Sequence, residues 1–174
     1  MYKLFIFLFI WTSIMLAQEN RGYIVNVGDK APSFQLIDNN SFIEKNRGKV
    51  IMLQFTASWC SVCIKKMPFI EKEIWQKHKK NDDFVLLALT KDSELRPQRE
   101  KEIKLLIDKT GATYPIETDY NSQIFQLFAE EKAGVTRNII IDQNGEIAFL
   151  TRLFDPDEFN EMKIIIDKLL KKKY

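Results

Sequence analysis

Two uninterrupted apolar runs, "GKVIMLQFT" at 48–56 and "FVLLALT" at 84–90, constrain this chain more than any other feature. A strand with one wet face alternates apolar and polar residues, whereas a strand covered on both faces reads as a continuous apolar run. Between the two runs, Ile64, Met67, Ile70, Ile74 and Trp75 recur at helical spacing, with Pro68 inside the pattern as an expected kink. One helix joining two buried strands is a βαβ unit, and its strands run parallel.

The rest of the chain extends that unit. A short strand is expected around Phe34–Ile37, between Pro32 and a turn at 38–41. After the second buried strand come a helix from about 97 to 110 ended by Gly111, a strand at 114–117 and a helix near 122–130. "QNG" at 143–145 is a turn signal that makes a hairpin of strands 138–142 and 146–152, and an amphipathic helix follows over about 156–172. With 174 residues, 45% of them hydrophobic and 29% charged, the chain can bury a core without help from a disulfide. No repeat, low-complexity tract or linker divides it. One α/β domain over 27–172 is expected, a central mixed sheet with helices on both faces.

The N-terminus reads as an export signal. A single lysine precedes an uncharged run from Leu4 to Ala17, followed by a polar stretch, and no cysteine stands after the run to take a lipid. The run falls short of the roughly 20 residues needed to span a bilayer, so a signal peptide over 1–17 is expected, with an uncleaved membrane tether as the alternative. The mature domain would then work outside the cytoplasm, in the periplasm, where thiols tend to be oxidised. The 26 basic and 24 acidic residues leave a net charge of +2, too little to hold a polyanion, and nucleic acid is excluded as a partner.

Against that background the only two cysteines, Cys60 and Cys63, stand where the first buried strand gives way to the helix. In open α/β folds, sites gather at the carboxyl ends of strands. A haem attachment needs histidine directly after the second cysteine, and Ile64 is there. A zinc site needs three or four ligands; beyond the cysteines the chain has one histidine, His78, far along the helix among lysines on an expected solvated face. A staple closing so short a loop restrains the unfolded chain little. A redox pair gains from each of these, and a sulfur at a helix N-terminus is favoured as the thiolate by the unpaired amides there. No metal or cofactor is implied.

The chain resembles the thioredoxin superfamily, and within it the TlpA/ResA-like exported thiol:disulfide oxidoreductases. "VGDKAPSFQLID", "GKVIMLQFTASWCSVCIKKMP", "TYPIETD" and "GVTRNIIIDQNGEI" carry the likeness, which covers nearly all of 27–172. The resemblance implies a thioredoxin-like fold with an N-terminal β extension and a helical insert. It makes Cys60 the attacking thiol, Cys63 the resolving thiol and Trp59 the flank of the active-site surface. It implies monomers acting on protein disulfides, with a membrane thiol protein as a possible electron donor. Three positions depart from the family pattern. Gln54 replaces a buried aspartate, and Lys66 replaces a glutamate; both remove negative charge that would tune the sulfurs. Thr136 occupies the slot of a cis-proline, and with Val135 it is expected to face the cysteines and bind substrate backbone. A cis bond before a non-proline residue costs about 3–4 kcal/mol, so a trans Val135–Thr136 bond is expected.

Two other readings compete. A thiol peroxidase shares the "APSFQL" opening, but its signature threonine would stand at Ala57, with Thr56 one residue off, and its arginine at Thr136, with Arg137 adjacent. A binding module that keeps the fold and turns over poorly is the third. Trp75, Phe125 and Phe128 are read as core, and Arg137 as either a loop cation steering acidic substrates or plain surface.

Overall fold

The fold was analysed in a computed structural model that describes residues 21–36 and 41–172. The expected signal peptide and most of the turn at 38–41 lie outside the described residues. The elements run α1 Phe42–Lys45, β1 Val50–Thr56, α2 Ser61–Ile70, a π-helical turn Glu71–Trp75, α3 Gln76–His78 and β2 Phe84–Lys91. They continue with α4 Glu100–Thr110, β3 Ile116–Asp119, a 3-10 turn Tyr120–Ser122, α5 Phe125–Phe128, β4 Arg137–Ile141, β5 Ile147–Arg152 and α6 Pro156–Lys171.

The five strands form one sheet in the order β3-β2-β1-β4-β5. β1, β2 and β3 are parallel, while β4 runs antiparallel to β1 and pairs with β5 as the expected hairpin. Every residue of β1 is buried, as its unbroken apolar run requires. Alternate residues serve opposite layers. Val50 and Met52 face a core filled by Met67, Ile70, Ile74, Leu106, Phe159, Met162 and Ile166, from α2 and its π turn, α4 and α6. Ile51, Leu53 and Phe55 face a second core of Phe34, Phe42, Phe125 and Phe128, with the Phe55 and Phe125 rings edge to face at 5.2 Å. Each such side chain contributes roughly 1.5–3 kcal/mol when taken out of water.

The longer helices therefore share one face, and the other is covered by the N-terminal segment with the short α1 and α5. Among the described residues of the expected N-terminal strand, Gln35 makes only an isolated bridge to Ser41, while Tyr23 and Lys30 earlier in the segment bridge to Ala129 and Glu146. The segment is held by side chains such as Phe34 more than by a ladder. α4 starts at Glu100, later than expected, because the Gln98 amide is held by Asp92 Oδ1 at 2.8 Å in the preceding loop. β3 is displaced to 116–119 because Tyr114 turns into the core. The helix expected near 122–130 shrinks to α5, since Asn121 and Ser122 adopt positive φ and Asp119 takes the Ile124 and Phe125 amides at 2.8 and 2.7 Å. The expected kink at Pro68 becomes a slip to wider π spacing just beyond it, over Glu71–Trp75.

Candidate active site

β1 ends at Thr56, and the chain turns through 57–60 into α2. The turn is braced by Gln98, whose Oε1 accepts the Ser58 amide at 2.8 Å. Cys60 is the N-cap of α2: its backbone is extended, and its Sγ accepts the Cys63 amide at 3.2 Å. Cys60 and Cys63 are joined as a disulfide, with Cα atoms 5.2 Å apart. The two sulfurs are not equivalent. Cys60 keeps 8% of its surface open, and Cys63 none.

Thr136 reaches the pair from the other direction. β4 pairs antiparallel with β1, Phe55 opposite Arg137, so the residue before β4 lands at the carboxyl end of β1. Thr136 Oγ1 lies 3.2 Å from the sulfur of Cys60 and 3.2 Å from that of Cys63. Its carbonyl accepts the Leu153 amide at 2.9 Å. No peptide bond among the described residues is cis, so Val135–Thr136 is trans. The loop leading there is tied by Lys91, whose Nζ donates to the Glu131 and Ala133 carbonyls at 2.6 and 3.3 Å.

Trp59 is 43% exposed, with the Arg96 guanidinium 4.5 Å above its ring. Beside it opens a cleft of about 440 Å³, lined among others by Trp59, Lys91, Arg96, Lys132 and Val135. The cleft thus reaches from the tryptophan to the residue next to Thr136.

Below the surface, Gln54 of β1 stands opposite Asn138 of β4, both buried. Among the described residues, Gln54 Oε1 and Asn138 Oδ1 have no hydrogen-bond partner. Asn138 Nδ2 donates to Thr151 Oγ1 at 2.7 Å, and Lys66 Nζ approaches that hydroxyl at 3.4 Å while donating to the Leu153 carbonyl at 3.0 Å. Burial lowers the Lys66 pKa to about 8, against the charge of Glu158, which raises it. Lys66, Thr151 and Asn138 are thus joined in one polar chain under α2, and Gln54 stands beside it in register without a bond to it.

Two sequence expectations are corrected. Arg137 is neither a steering cation nor surface: it is 2% exposed, donates to the Gly134 and Arg21 carbonyls at 3.0 and 2.8 Å, and lies 4.3 Å over the Tyr23 ring. It clamps the N-terminal segment. His78 does not lie on a solvated face: its side chain is 11% exposed, 3.1 Å from Asp167 and 5.3 Å from the Phe84 ring. Phe125 and Phe128 are core as expected, and Trp75 packs at the margin of the α2 side, its indole donating to Thr113 Oγ1. Sequence reasoning missed Gln98, Asn138 and Thr151. Asn138 carried a signal, a polar residue heading the apolar run "NIII"; the others lie in stretches without one.

The Redoxin family profile matches residues 26–166. Among curated proteins, the chain is 27% identical over 143 residues to the thiol-disulfide oxidoreductase ResA of Oceanobacillus iheyensis, covering 78% of this chain and 69% of that one. It is 29% identical over 126 residues to ResA of Geobacillus kaustophilus, covering 71% and 67%. Among solved structures, a candidate protein disulfide isomerase from Bacteroides thetaiotaomicron is 45% identical with a TM-score of 0.76, over 87% of this chain and 94% of that one.

Proposed function

Because this chain belongs to the Redoxin family, we infer that it is a thiol:disulfide oxidoreductase, acting on disulfides of exported proteins through Cys60 and Cys63. One observation carries the division of labour: the disulfide joins a cysteine that keeps a small open surface at a helix N-terminus to one wholly buried behind it. In the reduced protein the Cys60 thiolate attacks a substrate disulfide, forming a mixed disulfide and releasing the first substrate thiol. Cys63 then attacks Cys60 Sγ and releases the second. The substrate gains two electrons, and the enzyme is left as the disulfide seen here. A further cycle needs a dithiol donor, for which a membrane thiol protein is suited.

The surface around Cys60 supports a protein substrate. Trp59, Leu95 and Leu153 are exposed apolar residues, Leu95 next to the arginine that stacks on Trp59 and Leu153 bonded to Thr136. They offer apolar contact to an extended segment, while Val135 flanks the cleft as a place for its backbone. A peroxidase reading finds less support. Thr56 Oγ1 is engaged by Met67 Sδ at 3.4 Å, and Arg137 by the N-terminal segment.

Cys63→Ser should accumulate mixed disulfides with exported proteins, because Cys60 still attacks and nothing resolves the product; Cys60→Ser should trap far fewer. Equal trapping by both variants, read on non-reducing gels, would contradict the assigned roles.

A further inference from the structure

Thr136 Oγ1 lies 3.2 Å from the sulfur of Cys60 and 3.2 Å from that of Cys63, and among the described residues it has no other hydrogen-bond partner. A hydroxyl can donate one hydrogen bond while accepting others. Burial sets the direction in which it donates. Cys63 is closed to solvent, and a charge out of water is costly, so in the reduced protein its sulfur stays a thiol. A buried thiol donates, and Thr136 Oγ1 is placed to accept from it. The hydroxyl proton is then directed to Cys60, the cysteine that keeps some open surface and already takes the Cys63 amide at 3.2 Å. The hydroxyl is held in place, because a β-branched side chain has few rotamers and the Thr136 carbonyl is bonded to the Leu153 amide at 2.9 Å. The buried cations of the flanking elements are engaged elsewhere, Lys66 of α2 by the Leu153 carbonyl and Thr151, and Arg137 of β4 by the Gly134 and Arg21 carbonyls.

We propose that Thr136 is a catalytic residue that stabilises the Cys60 thiolate of the reduced protein by donating a hydrogen bond to it. This rests on the disulfide-exchange reading above. The chain of bonds runs from the Cys63 thiol through the Thr136 hydroxyl to the Cys60 sulfur. The hydroxyl keeps its own proton throughout, and the proton lost when Cys60 ionises goes to water. Hydrogen bonds to a charged group are stronger than those to a neutral one, and the disulfide of the oxidised protein carries no charge. The hydroxyl therefore favours the reduced side: it readies Cys60 for attack near neutral pH and makes the pair more oxidising than the same cysteines without it. A proline in that slot would have no side-chain donor to offer.

The test uses the full chain in its reduced form, with Cys60 and Cys63 followed separately by iodoacetamide alkylation and peptide mapping across pH. In Thr136→Val the midpoint of the Cys60 profile should rise by about one pH unit, a roughly tenfold smaller ratio of thiolate to thiol, as expected for loss of one hydrogen bond to a charged group. Thr136→Ser, which restores the hydroxyl, should keep the wild-type midpoint. Thr136→Ala removes the hydroxyl with less bulk and should match Thr136→Val, which keeps the comparison open if valine disturbs the loop. Above the midpoints, the hydroxyl-free variants in equilibrium with glutathione should lie about tenfold further toward the disulfide, a potential lower by about 30 mV. A wild-type midpoint in either hydroxyl-free variant, or failure of serine to restore it, would overturn the hydrogen bond and leave the exchange reading standing. A wild-type disulfide that does not equilibrate with glutathione would overturn the exchange reading and the catalytic role with it, while the alkylation profiles would still decide the hydrogen bond.

Discussion

Replacing Lys66 by methionine should remove a pH dependence built into the fold. Lys66 is 2% exposed beneath α2, and burial lowers its pKa from the ordinary 10.5 to about 8. The unfolded chain regains the ordinary value, so between those limits unfolding takes up a proton and wild-type stability rises with pH. Below about 8 the amine is charged in both states and the full penalty is present; above 10.5 it is neutral in both and the penalty is gone. At ~1.4 kcal/mol per pH unit the gap corresponds to roughly 3 kcal/mol. Methionine keeps the packing of the stem, but it leaves the Leu153 carbonyl without its donor, a loss of about 1 kcal/mol. In urea unfolding of the oxidised proteins at pH 7, Lys66→Met should therefore be more stable by about 2 kcal/mol. Its advantage should shrink above pH 8 and become a small deficit near 10.5. A stability difference that stays constant across that range would refute the reasoning, because it would mean the ammonium is solvated as well inside the protein as outside.

Two further outcomes are expected. In the reduced protein, iodoacetamide at neutral pH should label Cys60 first, since that residue caps the α2 N-terminus and keeps some open surface while Cys63 is closed off; preferential labelling of Cys63 by peptide mapping would contradict the helix-terminus argument. Gly22→Ala should lower the melting temperature, by a destabilisation of about 1–2 kcal/mol, because Gly22 has φ +76° and an added Cβ would sit 2.8 Å from Arg137 Nη2 and 3.0 Å from Ala133 Cβ.

The parts of the fold that depend on long-range burial were the most legible. Continuous apolar runs marked β1 and β2, helical spacing marked α2, and the turn before Gly145 marked the β4–β5 hairpin. Local pattern failed where a polar side chain overrode it. Asp92 holds Gln98 out of α4, and Asp119 fixes the start of α5 at Phe125 while Ala129 turns extended to bridge Tyr23 and ends it. The N-terminal segment looked like a strand because it is apolar, yet Phe34 and Tyr23 anchor it by side chains, which alternation cannot distinguish from ladder pairing. At the site, the cysteines could be placed at a strand-to-helix turn, and Thr136 beside them, from spacing and family resemblance. Arg137 could not be read. Its neighbours in sequence suggested a loop, while its partners Tyr23 and the Arg21 carbonyl come from more than a hundred residues away.

The sulfur of Cys60 and the hydroxyl of Thr136 are 76 residues apart in the chain. They meet only when β4 has docked on β1, which is a late and entropically demanding event for a non-local strand pair. A chain partway through folding therefore carries an ordinary dithiol, open to any oxidant and without its hydroxyl partner. Disulfide exchange at the native rate should return only with the last strand, so that recovery of activity after dilution from urea times the completion of folding, later than the recovery of helical signal.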